Sequence, residues 1–198
     1  MNLSDHITFS DLHVHYAVCF IDMIDSTTIV SKLSGREADS LYMTFLNILA
    51  NVVIENEGKI VKTFGDGIFY YFPKTDFGSL EDFEKVMDAS LKIIAAHPLI
   101  AQKLTELGLP EVDYRVSASF GPVSIVENED SSVGDLFGST INTCSKMNKL
   151  AQPNSIIIGS ALREKLKNSE KYTFTPVEKF AVNDQLSYMT YSVTENPA

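Results

Sequence analysis

The stretch Gly58–Phe72, which reads GKIVKTFGDGIFYYF, limits the possible folds more than any other part of the chain. Two runs of β-branched and aromatic residues flank Gly65, Asp66 and Gly67, a pattern that is typical of a β-hairpin with a tight turn. Lys62 lies within the first predicted strand and Asp66 lies at the turn. Any fold for this chain must therefore include an antiparallel strand pair with a carboxylate at its tip.

The rest of the chain alternates between strand and helix patterns. A compact apolar run at Tyr16–Asp22 predicts a buried strand, and apolar residues at helical spacing predict a helix from about residue 36 to 55, which Gly58 ends. The later patterns predict, in order, a helical segment at 80–107 broken at Pro98, two strands around Gly121-Pro122 within 112–126, a helix at 138–150, a strand at 155–159, a short helix at 161–167 and strands near 172–179 and 187–193. The predicted fold class is α+β, with helices packed on an antiparallel-rich sheet.

Length and composition narrow the class of protein. The 198 residues are enough for one domain with a single core. The net charge of −10 argues against a nucleic-acid-binding surface, which needs clustered Lys and Arg. Both cysteines, Cys19 and Cys144, fall inside predicted elements, so we expect buried thiols in a reducing compartment. Because there is no long apolar run and no signal-peptide pattern, we expect a cytoplasmic protein that does not enter a membrane.

Two carboxylates are candidates for a metal site. Asp22 ends the first predicted strand and Asp66 sits at the hairpin turn, so they meet at one sheet edge if these strands are neighbours. Such a pair suits two hard divalent cations about 3.5–4 Å apart, which can activate an attacking oxygen. The turn at residues 24–27 leads into a predicted helix start, where N–H groups favour a phosphate. Each feature also has a purely structural explanation, because aspartate commonly caps helices and occupies turns.

Three segments together resemble a known family. They are FIDMIDST at Phe20–Thr27, the hairpin at Gly58–Phe72, and DLFGSTINTCSKMNKLAQPNSIIIG at Asp135–Gly159. In order and spacing they resemble the catalytic domain of class III nucleotidyl cyclases, the adenylate and guanylate cyclases, over about residues 16–193. The resemblance implies a ferredoxin-like βαββαβ core with a small C-terminal strand-rich extension. It predicts an N-terminal segment at 1–15 and a catalytic domain at 16–198.

The resemblance also implies an activity and an assembly. The family works as a dimer with active sites at the subunit interface, so a homodimer is expected. The ribose 3′-hydroxyl of a nucleoside triphosphate attacks its own α-phosphorus and pyrophosphate leaves, with two Mg²⁺ or Mn²⁺ ions stabilising charge. For this chain the expected reaction is ATP to 3′,5′-cyclic AMP.

The metal-binding and base-binding roles are carried over residue by residue. Asp22 and Asp66 resemble the metal-binding aspartates, with the backbone carbonyl of Met23 as a further ligand. Lys62 resembles the base-reading lysine and Asp135 its partner. An ammonium donates to a purine nitrogen and a carboxylate accepts from an exocyclic amine, which suits adenine. Lys62 and Asp66 are four residues apart on an extended chain, about 13 Å, so the two side chains are not expected to serve the same metal ion. The resemblance implies that Lys62 acts across the subunit interface from the Asp22 and Asp66 that hold the same nucleotide.

The remaining roles fall on the turn and on the predicted helix at 138–150. Asn142 resembles the residue that orients the ribose. Lys146, four residues later and on the same helix face, stands where the family has an arginine that contacts the α-phosphate. The predicted triphosphate-binding turn consists of Ile24, Asp25, Ser26 and Thr27.

Three departures from the family pattern affect the phosphate site. Lys146 keeps the positive charge of the usual arginine but loses its planar fork. A second phosphate-binding lysine usually precedes the last strand, where this chain has Gln185, with Lys179 nearby. Asp25 stands where the family often has glycine; its carboxylate either caps the following helix or adds a metal ligand.

These departures keep other functions open. One alternative is a cyclase for a pyrimidine or guanine nucleotide, and another is a degenerate, catalytically weak module that binds nucleotides. A weaker alternative is an unrelated metal-dependent phosphohydrolase. We expect no separate sensor domain within these 198 residues, so that control would come from a separate regulatory protein, from the short N-terminal segment or from expression.

Overall fold

The computed structural model describes residues 7–128, 135–183 and 186–197. Its helices and strands follow in the order β1 (Ile7–Met23), α1 (Ser26–Val30), α2 (Gly35–Glu55), β2 (Lys59–Phe64), β3 (Gly67–Phe72), α3 (Leu80–Ala95), α4 (His97–Glu106), β4 (Tyr114–Asn128), β5 (Asp135–Phe137), α5 (Ser139–Met147), β6 (Ser155–Gly159), α6 (Ser160–Lys165), β7 (Tyr172–Asn183) and β8 (Leu186–Glu195). Short 3₁₀ turns follow β3 at Pro73–Thr75 and α5 at Asn148–Leu150.

All eight strands form one sheet in the order β2-β3-β1-β4-β6-β8-β7, and β5 pairs with β4. Within it, β1 pairs antiparallel with both β3 and β4, and β2 pairs antiparallel with β3. Strands β1 to β4 with the helices between them make the predicted βαββαβ core. The predicted C-terminal extension is also present, since β6 runs parallel to β4 and continues through β8 to β7.

Alternation along β1 divides its side chains between two layers, because successive residues of a strand point to opposite faces. Ala17, Cys19, Ile21 and Met23 belong to the main core, which also contains apolar residues of α2, α3, α4 and α6. Val18 and Phe20 belong to a smaller core on the other face, together with Cys144 and Met147 of α5. Asp22 follows Phe20 by two residues and therefore lies on the α5 face.

Strand β4 differs from the prediction of two strands around Gly121-Pro122. It runs unbroken from Tyr114 to Asn128, and the antiparallel ladder with β1 passes through both residues. Proline is tolerated here because β6 pairs with β4 only at 115–118. The side of Pro122 that faces away from β1 therefore lies outside the β4–β6 ladder, where a missing N–H costs no hydrogen bond between strands. Gly121 is needed because a Cβ at this position would lie 2.7 Å from Thr140 Oγ1 of α5.

The boundaries of two other elements also differ from the prediction. Strand β1 begins at Ile7, so it includes part of the segment before Tyr16; the domain boundary at residue 16 stays a prediction. After α2 it is Glu57, with φ 66°, that adopts the left-handed conformation. Gly58 has a different role, because a Cβ there would lie 2.8 Å from Val53 Cγ1.

Candidate active site

The candidate site is built around the end of β1. Asp22 lies one residue before the strand ends and faces Arg115 of β4 across the ladder. The side chain of Met23 is buried in the main core, 2% exposed, so this residue can offer the site its backbone carbonyl but not its thioether. The helix after this strand has Asp25 as its N-cap residue, which excludes the explanation of Asp22 as a helix cap.

The β2–β3 hairpin brings Asp66 to the same edge. Ile21 of β1 pairs with Ile68 of β3, so the turn at 65–66 lies beside the end of β1. Gly65 has φ 60°, which a two-residue hairpin loop needs. A Cβ at Gly67 would lie 2.7 Å from the Ile21 carbonyl oxygen, so glycine lets the hairpin tip close against β1. The edge therefore carries two carboxylates from distant parts of the chain.

The two carboxylates are close enough to interact. Burial raises the pKa of Asp22, and the charge of Asp66 raises it further, while Arg115 and Lys149 lower it. A carboxyl group whose ionisation is opposed by burial and by a neighbouring carboxylate belongs to a site that a cation stabilises. Carboxylate and carbonyl oxygens are the ligands that Mg²⁺ and Mn²⁺ prefer, so Asp22, Asp66 and the Met23 carbonyl fit such ions chemically.

Asp25 is a further carboxylate in the turn after β1. Over residues 7–128, 135–183 and 186–197, no group of three or more His, Cys, Asp or Glu side chains is placed to hold a metal ion. The side chain of Asp25 makes no capping hydrogen bond to α1, so the alternative of a helix cap is wrong. A role of Asp25 as a metal ligand stays a prediction. Its backbone has φ 53°, a conformation that favours glycine, which gives a physical reason for the glycine often found at this position.

The turn after β1 is shaped by one long-range hydrogen bond. The N–H of Ile24 donates to the carbonyl of Asp113 at 2.8 Å, so it is not free for a phosphate. The prediction of a phosphate-binding turn is thereby reduced to Asp25, Ser26 and Thr27. The first N–H groups of a helix have no partner within it, so those at the start of α1 stay candidates for this role.

Arg115 is the residue that the sequence analysis did not assign to the site. Its Nε lies 3.6 Å from Asp22 Oδ2, and its Nη1 donates to the carbonyl of Lys149 at 3.3 Å. In the part of the chain that the structure describes, Arg115 Nε is buried and has no hydrogen-bond partner. An arginine near the start of the strand predicted within 112–126 was the available signal, but local patterns do not give the neighbours of a strand or the register between strands.

The other half of the candidate site is an ion pair. Lys62 Nζ lies 2.5 Å from Asp135 Oδ2, although the two residues are 73 positions apart. The second oxygen, Asp135 Oδ1, accepts from the N–H of Leu136 at 2.9 Å. The Lys62 and Asp135 side chains remain 51% and 32% exposed. Lys62 pairs with Phe69 and Phe69 pairs with Phe20, so Lys62 lies on the α5 face, like Asp22.

Helix α5 carries Asn142 and Lys146 at exposed positions one turn apart. Its opposite side is fixed to the sheet, since Cys144 is buried with a pKa raised by burial to about 12. Ser117 Oγ donates to the Cys144 carbonyl at 3.0 Å. The helix therefore has one side held by β4 and another side that presents an amide and an ammonium to solvent.

Four of the predicted site residues thus form two pairs. Asp22 and Asp66 meet at the end of β1, and Lys62 meets Asp135. Gln185, where a phosphate-binding lysine was sought, lies outside the described residues. The side chain of Lys179 on β7 is exposed. None of the helices described is long and apolar enough to span a lipid bilayer.

Comparison with known proteins identifies the fold and the family. The chain is 26% identical over 150 residues to an adenylate cyclase of Streptomyces coelicolor, a match that covers 76% of this chain and 34% of that protein. It spans about a third of the length of the curated relatives that it matches. The crystal structure of the adenylyl cyclase CyaB from P. aeruginosa superposes with a TM-score of 0.83 at 16% identity, covering 94% of this chain and 96% of that one.

A guanylyl cyclase structure is similar to nearly the same degree. The crystal structure of the guanylyl cyclase Cya2 superposes with a TM-score of 0.81 at 18% identity, covering 92% of each chain. The fold is thus shared by enzymes named for different bases. The model of the adenylate and guanylate cyclase catalytic domain matches residues 10–195, and the chain therefore belongs to this family, the class III nucleotidyl cyclases.

Proposed function

We propose that the protein is a homodimeric adenylate cyclase of the cytoplasm, which converts ATP to 3′,5′-cyclic AMP and pyrophosphate. The observation that carries the proposal is the convergence of Asp22 and Asp66, close enough for one charge to raise the pKa of the other group. Cyclisation needs metal ions at the reacting phosphate, and these carboxylates with the Met23 carbonyl would hold them. The ions, when bound, supply charge neutralisation for the triphosphate and activation of the ribose hydroxyl.

The choice of ATP rests on Lys62 and Asp135. Their charged groups are 2.5 Å apart, so an ammonium donor and a carboxylate acceptor stand side by side. The exposed faces of both groups offer a donor to a ring nitrogen and an acceptor to an exocyclic amine, which is the adenine pattern. A guanine offers the same two kinds of group in the reverse order, a carbonyl oxygen that accepts and a ring N–H that donates, so the proposal of ATP requires that Lys62 meets the ring nitrogen and Asp135 the exocyclic amine.

The phosphate contacts come from three groups in this proposal. Arg115 lies beside Asp22 with a side chain that is 19% exposed, so its guanidinium would meet a phosphate at the metal edge. The N–H groups at residues 25–27, in the turn after β1, would provide the second set of contacts. Asn142 and Lys146 on the exposed side of α5 orient the ribose and neutralise the α-phosphate of the nucleotide bound by the partner protomer.

A product assay tests the proposal. The purified protein with Mn²⁺ is given ATP, GTP, CTP and UTP separately, and the products are identified by mass spectrometry. We expect cyclic AMP and pyrophosphate from ATP in clear excess over the other cyclic nucleotides. A nucleoside monophosphate without cyclic product would instead indicate a phosphohydrolase.

A second candidate, a catalytically weak nucleotide-binding module, is favoured by Lys146. Lysine lacks the planar fork that holds a phosphate in two places, and loss of one such contact costs about 100-fold or more in other enzymes. Lys146→Arg with ATP and Mn²⁺ distinguishes the candidates. If wild type is silent and the variant turns over, the second candidate is right; if both turn over and the variant gains less than about tenfold, the first is right.

A further inference from the structure

We propose that Lys149 is a further substrate-positioning residue, which sets a positive charge against the triphosphate held by Asp22 and Asp66 of its own chain. The inference rests on the proposed function, because it needs a triphosphate at this edge of the sheet. It goes beyond that function by assigning a cation that lies outside the residue pattern of the resemblance.

The backbone of Lys149 is fixed next to the carboxylate edge. Lys149 lies in the 3₁₀ turn at Asn148–Leu150, and its carbonyl accepts from Arg115 Nη1 at 3.3 Å. The neighbouring Asn148 is 3% exposed and donates through Nδ2 to the Phe20 carbonyl at 3.3 Å and to Ser117 Oγ at 3.2 Å. These three hydrogen bonds attach the turn to β1 and β4, two residues from Asp22.

The side chain of Lys149 is exposed, so its ammonium is available to a ligand. Its backbone carbonyl and Asp22 Oδ2 lie against the same Arg115 side chain, 3.3 Å from Nη1 and 3.6 Å from Nε, so the lysine side chain is long enough to bring its ammonium to Asp22. The two negative charges of Asp22 and Asp66 equal the two positive charges of Arg115 and Lys149, so the edge has no formal net charge. The full charge of two divalent ions bound there would then act on the triphosphate, and loss of Lys149 would lower the net positive charge that the triphosphate meets by one.

Lys149 and Lys146 divide two tasks between neighbouring positions. Lys146 on α5 is assigned to the nucleotide of the partner protomer, whereas Lys149 stands beside Asp22 of its own chain. In a dimer, α5 and the 3₁₀ turn after it would therefore supply one lysine to each of the two sites.

Calorimetry with two partial ligands tests the inference. Tripolyphosphate with Mg²⁺ represents the phosphates, and adenosine represents the base and ribose. In Lys149→Gln we expect tripolyphosphate to bind roughly five- to tenfold more weakly, with a shallower salt dependence, while adenosine affinity and the unfolding temperature stay unchanged. Lys149→Arg keeps the charge and should keep the affinity.

Lys167→Gln is the matched control, because Lys167 is similarly exposed and pairs with Glu164 at 2.6 Å on another part of the surface. The inference is overturned if this control weakens tripolyphosphate binding as much, if Lys149→Gln stays within twofold of wild type, or if wild type does not bind tripolyphosphate. Normal tripolyphosphate binding by Lys149→Gln in a protein that makes cyclic AMP would refute this inference alone. Absence of cyclic product, with tripolyphosphate affinity still dependent on Lys149, would refute the proposed function alone.

Discussion

The carboxylate edge and the Lys62–Asp135 pair belong to one sheet but differ in their electrostatics. At the edge, Asp22 and Asp66 carry like charges, the pKa of Asp22 is raised, and the buried Arg115 Nε has no hydrogen bond in the described part of the chain. Lys62 and Asp135 carry opposite charges, and both oxygens of Asp135 accept hydrogen bonds. The edge is therefore organised for a ligand that brings positive charge, whereas the pair is satisfied without one.

This difference indicates which half of the candidate site depends on a metal ion. Repulsion within the edge is relieved by a cation, so its geometry and its function should both respond to metal. The ion pair instead fixes two complementary groups in advance, so it should govern the choice of base while responding little to metal. Four predictions test this division, from the largest expected effect to the smallest.

The largest effect is expected at the hairpin tip. Asp66→Asn keeps the shape of the side chain but removes the charge that a divalent ion needs, so we expect cyclase activity to fall by about 1,000-fold or more. The measurement is initial rate with saturating Mn²⁺ and ATP, with Asp39→Asn on the exposed side of α2 as the control. Near-normal turnover of Asp66→Asn would show that Asp66 is not a metal ligand.

The next effect concerns base preference. Lys62→Glu replaces the donor with an acceptor, and we expect the preference for ATP over GTP, measured as the ratio of kcat/KM values, to fall by about tenfold or more. The double variant Lys62→Glu/Asp135→Lys restores the ion pair in reverse. If the double variant regained the ATP preference of wild type, the effect of Lys62 on that preference would come from its ion pair with Asp135 and not from contact with the base.

A smaller and more direct comparison uses stability without substrate. Because folding raises the pKa of Asp22, its ionised form opposes folding at neutral pH, and the contribution of this one carboxyl to the stability of the metal-free protein becomes more favourable as the pH falls towards that pKa. Asp22→Asn should therefore raise the unfolding temperature of metal-free protein at pH 7 by about 1–3 °C and abolish the stabilisation by Mn²⁺. A variant that is less stable than wild type, yet still stabilised by Mn²⁺, contradicts this reasoning.

The smallest effect is expected from the satisfied pair and has the opposite sign. Asp135→Asn removes an ion pair whose partners are half and one-third exposed, so solvent screening limits the loss to about 0.5 kcal/mol of unfolding free energy. Urea unfolding of wild type and variant, with and without Mn²⁺, measures it. Stabilisation by Mn²⁺ should be equal in both proteins. A loss of that stabilisation in the variant would show that the Lys62–Asp135 pair and the carboxylate edge act as one metal-dependent site.

Much of the fold followed from local patterns. The hairpin at 58–72 and the long helix that ends at Glu55 were predicted correctly because their residue periodicities and turn residues act over short distances. Asp22 could be recognised as a candidate ligand because it ends a compact apolar run that predicts a buried strand.

Other features needed the tertiary structure. The prediction divided β4 into two strands at Gly121-Pro122, because a glycine followed by a proline suggests a turn. In the structure, the glycine is explained by contact with Thr140 of α5 and the proline by a locally unpaired side of the strand. Strand β5 has three residues, too few for a pattern to emerge. The left-handed backbone of Asp25 likewise has no local signature, since aspartate also suits a helix cap.

The sequence by itself determined which residue types stand at strand ends, at the hairpin tip and along α5, because these depend on the chain's own periodicity. Tertiary structure alone decided the register that sets Arg115 opposite Asp22, the closure of the hairpin against Ile21, and the attachment of the turn at Asn148–Leu150 to β1 and β4. The physical reason is that pairing between distant strands depends on packing across the whole sheet, and no short stretch of sequence contains that information.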